Sequence, residues 1–330
     1  MLFKIQARSR AIRLLLAAVC LAISSLQASA EAYPSKAITF VVPYPPGGAS
    51  DIIARLIAQR MGETFKQPVV VENRAGANGI IALSQVGKAA PDGYTILMTN
   101  IGPSAINPSV YSKLPYDAVK DFSPVTLTSL VPLVMVASPS VGINSVGDLI
   151  AKAKAVPGAL SYAASGNGTA GHLAMELFKT NAGIDIKTIG YKGDIPALQD
   201  VMAGRVAVMF ATVLAASPHI QSGRLKALAV TTANRINALP NVPTVAEAGM
   251  PGFEAVSWGG VMAPAQTPKP IIDKLHDEIN RILATAEFRN HLSSVGAEAM
   301  GGTPEQFQTY LGSEIAKWAK VAKTANVKLD

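Results

Sequence analysis

Cysteine is almost absent: the 330 residues include one, Cys20, inside an N-terminal apolar run. A chain that loses that run has none, which excludes disulfides, thiolate metal sites and a cysteine nucleophile. Histidine is scarce too. The four, His172, His219, His276 and His291, show no metal-ligand spacing such as H-E-x-x-H, and no G-x-S-x-G elbow frames a serine. Clustered positive charge is missing. Of 29 Lys and Arg residues four lie at Lys4, Arg8, Arg10 and Arg13, leaving 25 against 22 acidic residues without a basic patch, which argues against nucleic acid as a partner. Long apolar spans are missing as well. The longest uncharged stretch, 122–147, is interrupted by Pro124, Pro132 and Pro139, and within it "LVMVAS" at 133–138 reads as a buried strand instead of a membrane helix.

The N-terminus supplies what the rest lacks. A basic segment, the apolar run 14–23 and the small-residue site Ala28-Ser29-Ala30 together read as a secretory signal peptide over 1–30, cut after Ala30. The expected location is the periplasm, and stability must come from an apolar core.

From residue 37 onward, short β-rich runs alternate with amphipathic stretches, the pattern of parallel sheets covered by helices. Strands are expected at 38–44, 69–73, 94–100, 133–138, 160–164, 186–191, 206–210, 227–231 and 257–263. Helices are expected at 51–65, 80–89, 146–155, 171–182, 195–203, 214–222, 270–293 and 304–323. Ser145 reads as an N-cap, and Thr303-Pro304-Glu305-Gln306 as a capping box with proline at the first helical position. In the helix it opens, Phe307, Tyr310, Leu311, Ile315 and Trp318 form a core-facing stripe. The fold class expected is α/β with two lobes, each a mainly parallel sheet flanked by helices, and a ligand cleft between them. Residues 31–130 with 256–330 make one lobe and 131–255 the other, so that two crossings form a hinge.

Three glycine loops join a strand end to a helix start: "YPPGGASD" at 44–51, "NRAGANG" at 73–79 and "SGNGTAG" at 165–171. Unpaired N–H groups and the dipole at a helix N-terminus can bind carboxylate or phosphate without any fixed cation. Gly166, Gly168 and Gly171 also satisfy G-x-G-x-x-G, but the acid that would hold a ribose is misplaced: Asp185 precedes the next strand instead of ending it. An anion cradle is the better reading, and no cofactor is expected. The enzymatic alternative is a secreted hydrolase using Asp51 and His172, which would need a nucleophile within hydrogen-bond reach of His172. Asp51, in a first helical turn beside Ser50, more simply complements the helix dipole.

In combination, "YPSKAITFVVPYPPGGASDIIAR", "VVVENRAGANG", "APDGYTILMTN", "PALQDVMAGRV", "GRLKALAVTT" and "LPNVPTVAEAGMPGFE" resemble the Bug family, the extracytoplasmic solute receptors of tripartite tricarboxylate transporters. The resemblance covers nearly the whole chain after residue 30. It implies a two-lobed, type II-like periplasmic binding protein, not an enzyme, that closes as a monomer on a small organic carboxylate and presents it to integral-membrane transporter subunits or to a sensor. Carried over position by position, it places Tyr44, Pro46, Gly47, Gly48 and Asp51 in the first ligand loop, Ala77 and Asn78 in the second, and Thr99 and Asn100 at a strand end. Ser165, Gly166, Gly168 and Thr169 come from the other lobe, with Tyr191, Lys192 and Thr212 nearby. Two positions depart from the family pattern. Ala75 stands where proline is frequent, and "MFATV" replaces "MFDN", so Ala211 removes an acid that could receive a ligand ammonium. A plain mono- or dicarboxylate is therefore expected over an amino acid.

Overall fold

β1 (Ile38–Val42) is buried along almost its whole length, the signature of a strand covered on both faces. It lies at the centre of a parallel trio with β2 (Val69–Asn73) and β3 (Thr95–Asn100), pairing Ile38 with Val69 and Thr39 with Thr95. The computed structural model describes residues 33–329, so the expected signal peptide lies outside the described residues. All the elements belong to the unit that begins at Lys36.

The two sheets are joined by one strand, β4 (Phe122–Ala137). Its first part pairs antiparallel with β9 (Val256–Pro264), from Phe122 opposite Pro264 to Pro132 opposite Val256, and β9 in turn pairs with β3. From Leu133 onward β4 turns to β7 (Val208–Thr212) and β8 (Lys226–Val230), both antiparallel. β5 (Ser161–Ala164) then pairs parallel with β7 and with β6 (Lys187–Gly190), and β10 (Glu298–Ala299) caps β4 at Leu130. The parallel character expected from the sequence holds in the outer strands of both sheets. The crossing strands β4 and β9 add antiparallel ladders, because the chain must enter the second sheet and return.

Thr231 ties the crossing together. The Thr231 amide donates to the Leu133 carbonyl at 3.0 Å, the Ala255 amide donates to the Thr231 carbonyl at 3.0 Å, and the buried Thr231 hydroxyl donates to the Ala255 carbonyl.

The expected helices recur as α1 (Ala49–Phe65), α2 (Ile80–Val86), α4 (Val146–Ala155), α5 (Ala170–Ala182), α6 (Asp194–Met202), α7 (Val213–Gln221) and α10 (Pro304–Thr324). A short α3 (Asn107–Val110) lies between. The Ser145 cap and the full Thr303/Gln306 capping box form as read. Two expectations need correction. The helix expected at 270–293 is two, α8 (Lys269–Leu283) and α9 (Ala286–Ser294), because the Thr285 hydroxyl accepts from the Phe288 amide and starts a new helix. The strand expected at 133–138 is only the tail of β4. Its earlier part tolerates Pro124 through a register shift between Pro124 and Thr126, where the ladder no longer needs a donor from each residue.

The C-terminal stripe is core, as read. Phe307, Leu311 and Trp318 are buried, and the Glu314 carboxylate accepts from the indoles of both Trp258 and Trp318 at 2.9 and 3.0 Å.

Candidate functional site

Four helix starts converge where the sheets meet. The loop after β1 enters α1 through Gly48, the loop after β5 enters α5 through Thr169, and the loop after β6 enters α6 through Gly193. β7 runs into α7 through Thr212. Gly48 and Gly193 offer no side-chain cap, so the first amides of α1 and α6 have no capping oxygen from their own loops. Between these ends lies a cavity of about 80 Å³ with Met98, Phe210 and Trp258 in its lining. One ordered water needs only about 10–15 Å³ on the same measure, so several waters or a small organic molecule fit.

The two sides touch around this cavity. A Cβ built on Gly168 would stand 2.7 Å from Asn78 Nδ2, and one on Gly193 would stand 3.3 Å from Pro45 Cγ. Ile195, at the start of α6, packs over Gly47.

Of the residues singled out from the sequence, Tyr44, Pro46, Gly48, Asn100, Thr169, Lys192 and Thr212 line the cavity. Gly47, Asp51, Ala77, Asn78, Thr99, Ser165, Gly166, Gly168 and Tyr191 are not among the lining residues. The Tyr44 hydroxyl donates to Asn78 Oδ1 at 2.8 Å and approaches Asn100 Oδ1 at 3.3 Å, while burial holds the phenol well above its usual range. Asn78 donates to Asn107 Oδ1 at 2.8 Å, and Asn107 donates back to the Asn78 carbonyl at 3.1 Å. These bonds hold Ala77 and Asn78 in left-handed backbone (φ 44° and 47°), which a non-glycine residue adopts only at a cost. The Thr99 hydroxyl is buried against that of Ser104. Tyr191 donates to Asp200 at 2.7 Å, away from the cavity lining.

Asp51, one of the residues the resemblance places in the ligand loop, is turned under that loop. Its carboxylate accepts from the Gly47 amide at 2.9 Å, from Asn73 Nδ2 at 2.8 Å and from Arg55 Nε at 3.0 Å. Burial alone would raise its pKa, but the hydrogen bonds from Arg55, Gly47 and Asn73 outweigh it and hold the group below its ordinary value. Every one of these partners belongs to the protein itself, so Asp51 shapes the loop and is not among the cavity-lining residues.

The "SGNGTAG" loop divides its glycines among different tasks. Gly168 is left-handed (φ 79°) and its amide donates to His172 Nδ1 at 3.1 Å. Gly171 allows α5 to lie on β7, since a Cβ there would meet the Phe210 carbonyl oxygen at 2.3 Å. Asp185 stays outside the site, its carbonyl accepting from the Gly158 amide. His172 is stacked on Tyr162 with ring centroids 6.4 Å apart, and burial pushes its imidazole below the usual range. Its ring accepts from a backbone amide where the enzymatic alternative needs a hydroxyl, and it shares no partner with Asp51. Among the described residues no cluster of His, Asp or Glu could hold a metal.

Sequence reasoning missed Asp194. As the first residue of α6 it resembles any acid complementing a helix dipole, yet its carboxylate lines the cavity. Burial raises its pKa, opposed by hydrogen bonds from Ser165 and Thr212, the latter 3.4 Å long. No linear signal distinguishes an inward-facing acid from an outward-facing one at a helix start.

Comparison with known proteins now bears on this geometry. The chain matches the model of the "Tripartite tricarboxylate transporter family receptor" over residues 53–327. The protein BugT of Bordetella pertussis is 39% identical over 302 residues, 91% of this chain and 93% of that one. Among solved structures, R. palustris Rpa4515 with adipate has a TM-score of 0.88 at 41% identity, covering 90% of this chain and 99% of that chain. MatC from Rhodopseudomonas palustris with bound malate has a TM-score of 0.84 at 32% identity, covering 88% and 99%.

Proposed function

This chain belongs to the tripartite tricarboxylate transporter receptor family, and we propose that it captures a small organic carboxylate between two closing lobes and hands it to the membrane subunits of such a transporter. The observation that carries this reading is the convergence of helix N-termini from both sheets on one small cavity in which, among the described residues, Lys192 is the only cationic one in the lining. Amide dipoles at these helix starts then take the role of fixed cations, while the hydroxyls of Thr169 and Thr212 donate to the Gly166 carbonyl and to Asp194. The bodies that move are 31–130 with 256–330 and 131–255, turning about β4 near Pro132 and the return at Ala255, where Thr231 bonds to Leu133 and Ala255. The receptor works as a monomer in the periplasm after cleavage behind Ala30. The adipate and malate of the two R. palustris structures support a carboxylate as the ligand class.

Calorimetric titration with adipate and malate and with their diamides tests this. Binding of the acids and loss of binding with the amides is expected. Equal affinity for an acid and its amide would refute recognition by helix-end dipoles.

A further inference from the structure

The cavity contains a charge that recognition of a plain carboxylate does not use. Asp194 projects from the first turn of α6 into the space facing α1, with its Oδ2 3.8 Å from where a Cβ on Gly48 would lie. Its protein partners are the hydroxyls of Ser165 and Thr212, and no lysine or arginine is ion-paired to it. A carboxylate drawn partly out of water into a cavity without a counter-ion is costly to keep charged, and a ligand group of opposite charge would complete it. Each remaining charged or dipolar feature of the cavity, Lys192 and the α1 and α5 amides, suits an anion. The site therefore has an anion-binding side and one anion-repelling point.

We propose that the ligand is an aminocarboxylate, whose carboxylate lies on the amides of α1 and α5 and whose ammonium is received by Asp194. This rests on the carboxylate-receptor reading and deepens it. It also reverses the expectation drawn from Ala211: the acid absent at the end of β7 is supplied by the start of α6, and the Thr212 hydroxyl connects the two positions. Asp194 is then the residue that sets specificity within the family's carboxylate chemistry.

The test uses the intact exported protein and two ligand pairs, adipate with 2-aminoadipate and malate with aspartate. The expected result is an affinity about tenfold or more higher for at least one amino compound than for its partner, the range measured for close desolvated charge pairs. In Asp194→Asn that preference should vanish or invert, because the plain acid no longer meets a like charge. Thermal midpoints measured without ligand confirm that the variant is folded, and Asp194→Ser serves if Asn disrupts the helix start. Three results would overturn the proposal: plain acids bound more tightly than amino acids by the parent, a preference unchanged in both variants, or a plain acid bound with uptake of one proton in calorimetry across two buffers. Binding of plain acids alone leaves the receptor reading standing and removes only this proposal. Absence of binding by all four compounds defeats both.

Discussion

Substituting Gly168 by alanine separates closure from folding. The residue is left-handed (φ 79°), so alanine costs about 1–2 kcal/mol wherever the loop keeps this shape, whether the lobes are open or closed. That cost lowers the thermal midpoint by a few degrees and cancels from binding. On the proposed closure of 131–255 against the rest of the chain, the second effect exists only in the closed state. The new Cβ would lie 2.7 Å from Asn78 Nδ2 and 3.2 Å from Asn107 Oδ1, well inside contact distance. Asn78 cannot simply turn aside, since it accepts from Tyr44 and exchanges two hydrogen bonds with Asn107. Closing then requires at least one of these part-buried bonds to break, about 1–3 kcal/mol, or roughly a 5- to 150-fold weaker ligand affinity. Calorimetry with whichever of adipate, malate or their amino derivatives the parent binds gives the affinity, and small-angle scattering gives the ligand-induced compaction, which should diminish in the variant. A lowered thermal midpoint with unchanged affinity and unchanged compaction would refute the reasoning, for it would mean that bound lobes do not meet at Gly168.

Two further perturbations probe the frame around the cavity. Asp51→Asn should cost about 1–3 kcal/mol near neutral pH, because the Gly47 amide and Arg55 lose an ionised acceptor, although the half-exposed Arg55 recovers part of its loss in water. Because the folded pKa of Asp51 is depressed, its stabilisation is complete above the unfolded carboxylate value near about 4 and disappears as pH falls through the lower folded value; urea midpoints of parent and variant should therefore converge in acid, and a constant gap would count against the assignment. Gly260→Ala should destabilise by about 1–3 kcal/mol or more, since its Cβ would lie 2.3 Å from Cζ of the buried Phe307, and Phe307→Leu should recover part of the loss in a double-mutant cycle.

Much of the fold was legible because its signals are local. Apolar runs without alternation marked β1, β3 and β7 as strands covered on both faces, and the Ser145 and Thr303 caps marked the starts of α4 and α10. What escaped depends on distant partners. Residues 122–132 contain two prolines and the expected strand began only at 133, yet β9 and β10 recruit them into a strand that spans both sheets. Thr285 looked like one more residue of a long helix, because an N-cap is visible only once the preceding turn has ended.

The candidate site divides along the same line. Loops that bind through backbone amides announce themselves by glycine spacing, and Tyr44, Gly48, Thr169 and Thr212 do reach the cavity. The same spacing cannot tell a glycine that faces a ligand from one that admits a neighbouring segment, and Gly168 and Gly171 turn out to serve close approach to Asn78 and Phe210. Carboxylates are harder still to read. Asp51 and Asp194 both stand in the first turn of a helix behind a glycine cap, and the helix dipole accounts for either. Their surroundings separate them. Asp51 finds an amide, an asparagine and an arginine within reach and becomes structural. Asp194 finds two hydroxyls and the cavity, so its charge is left for the ligand to answer.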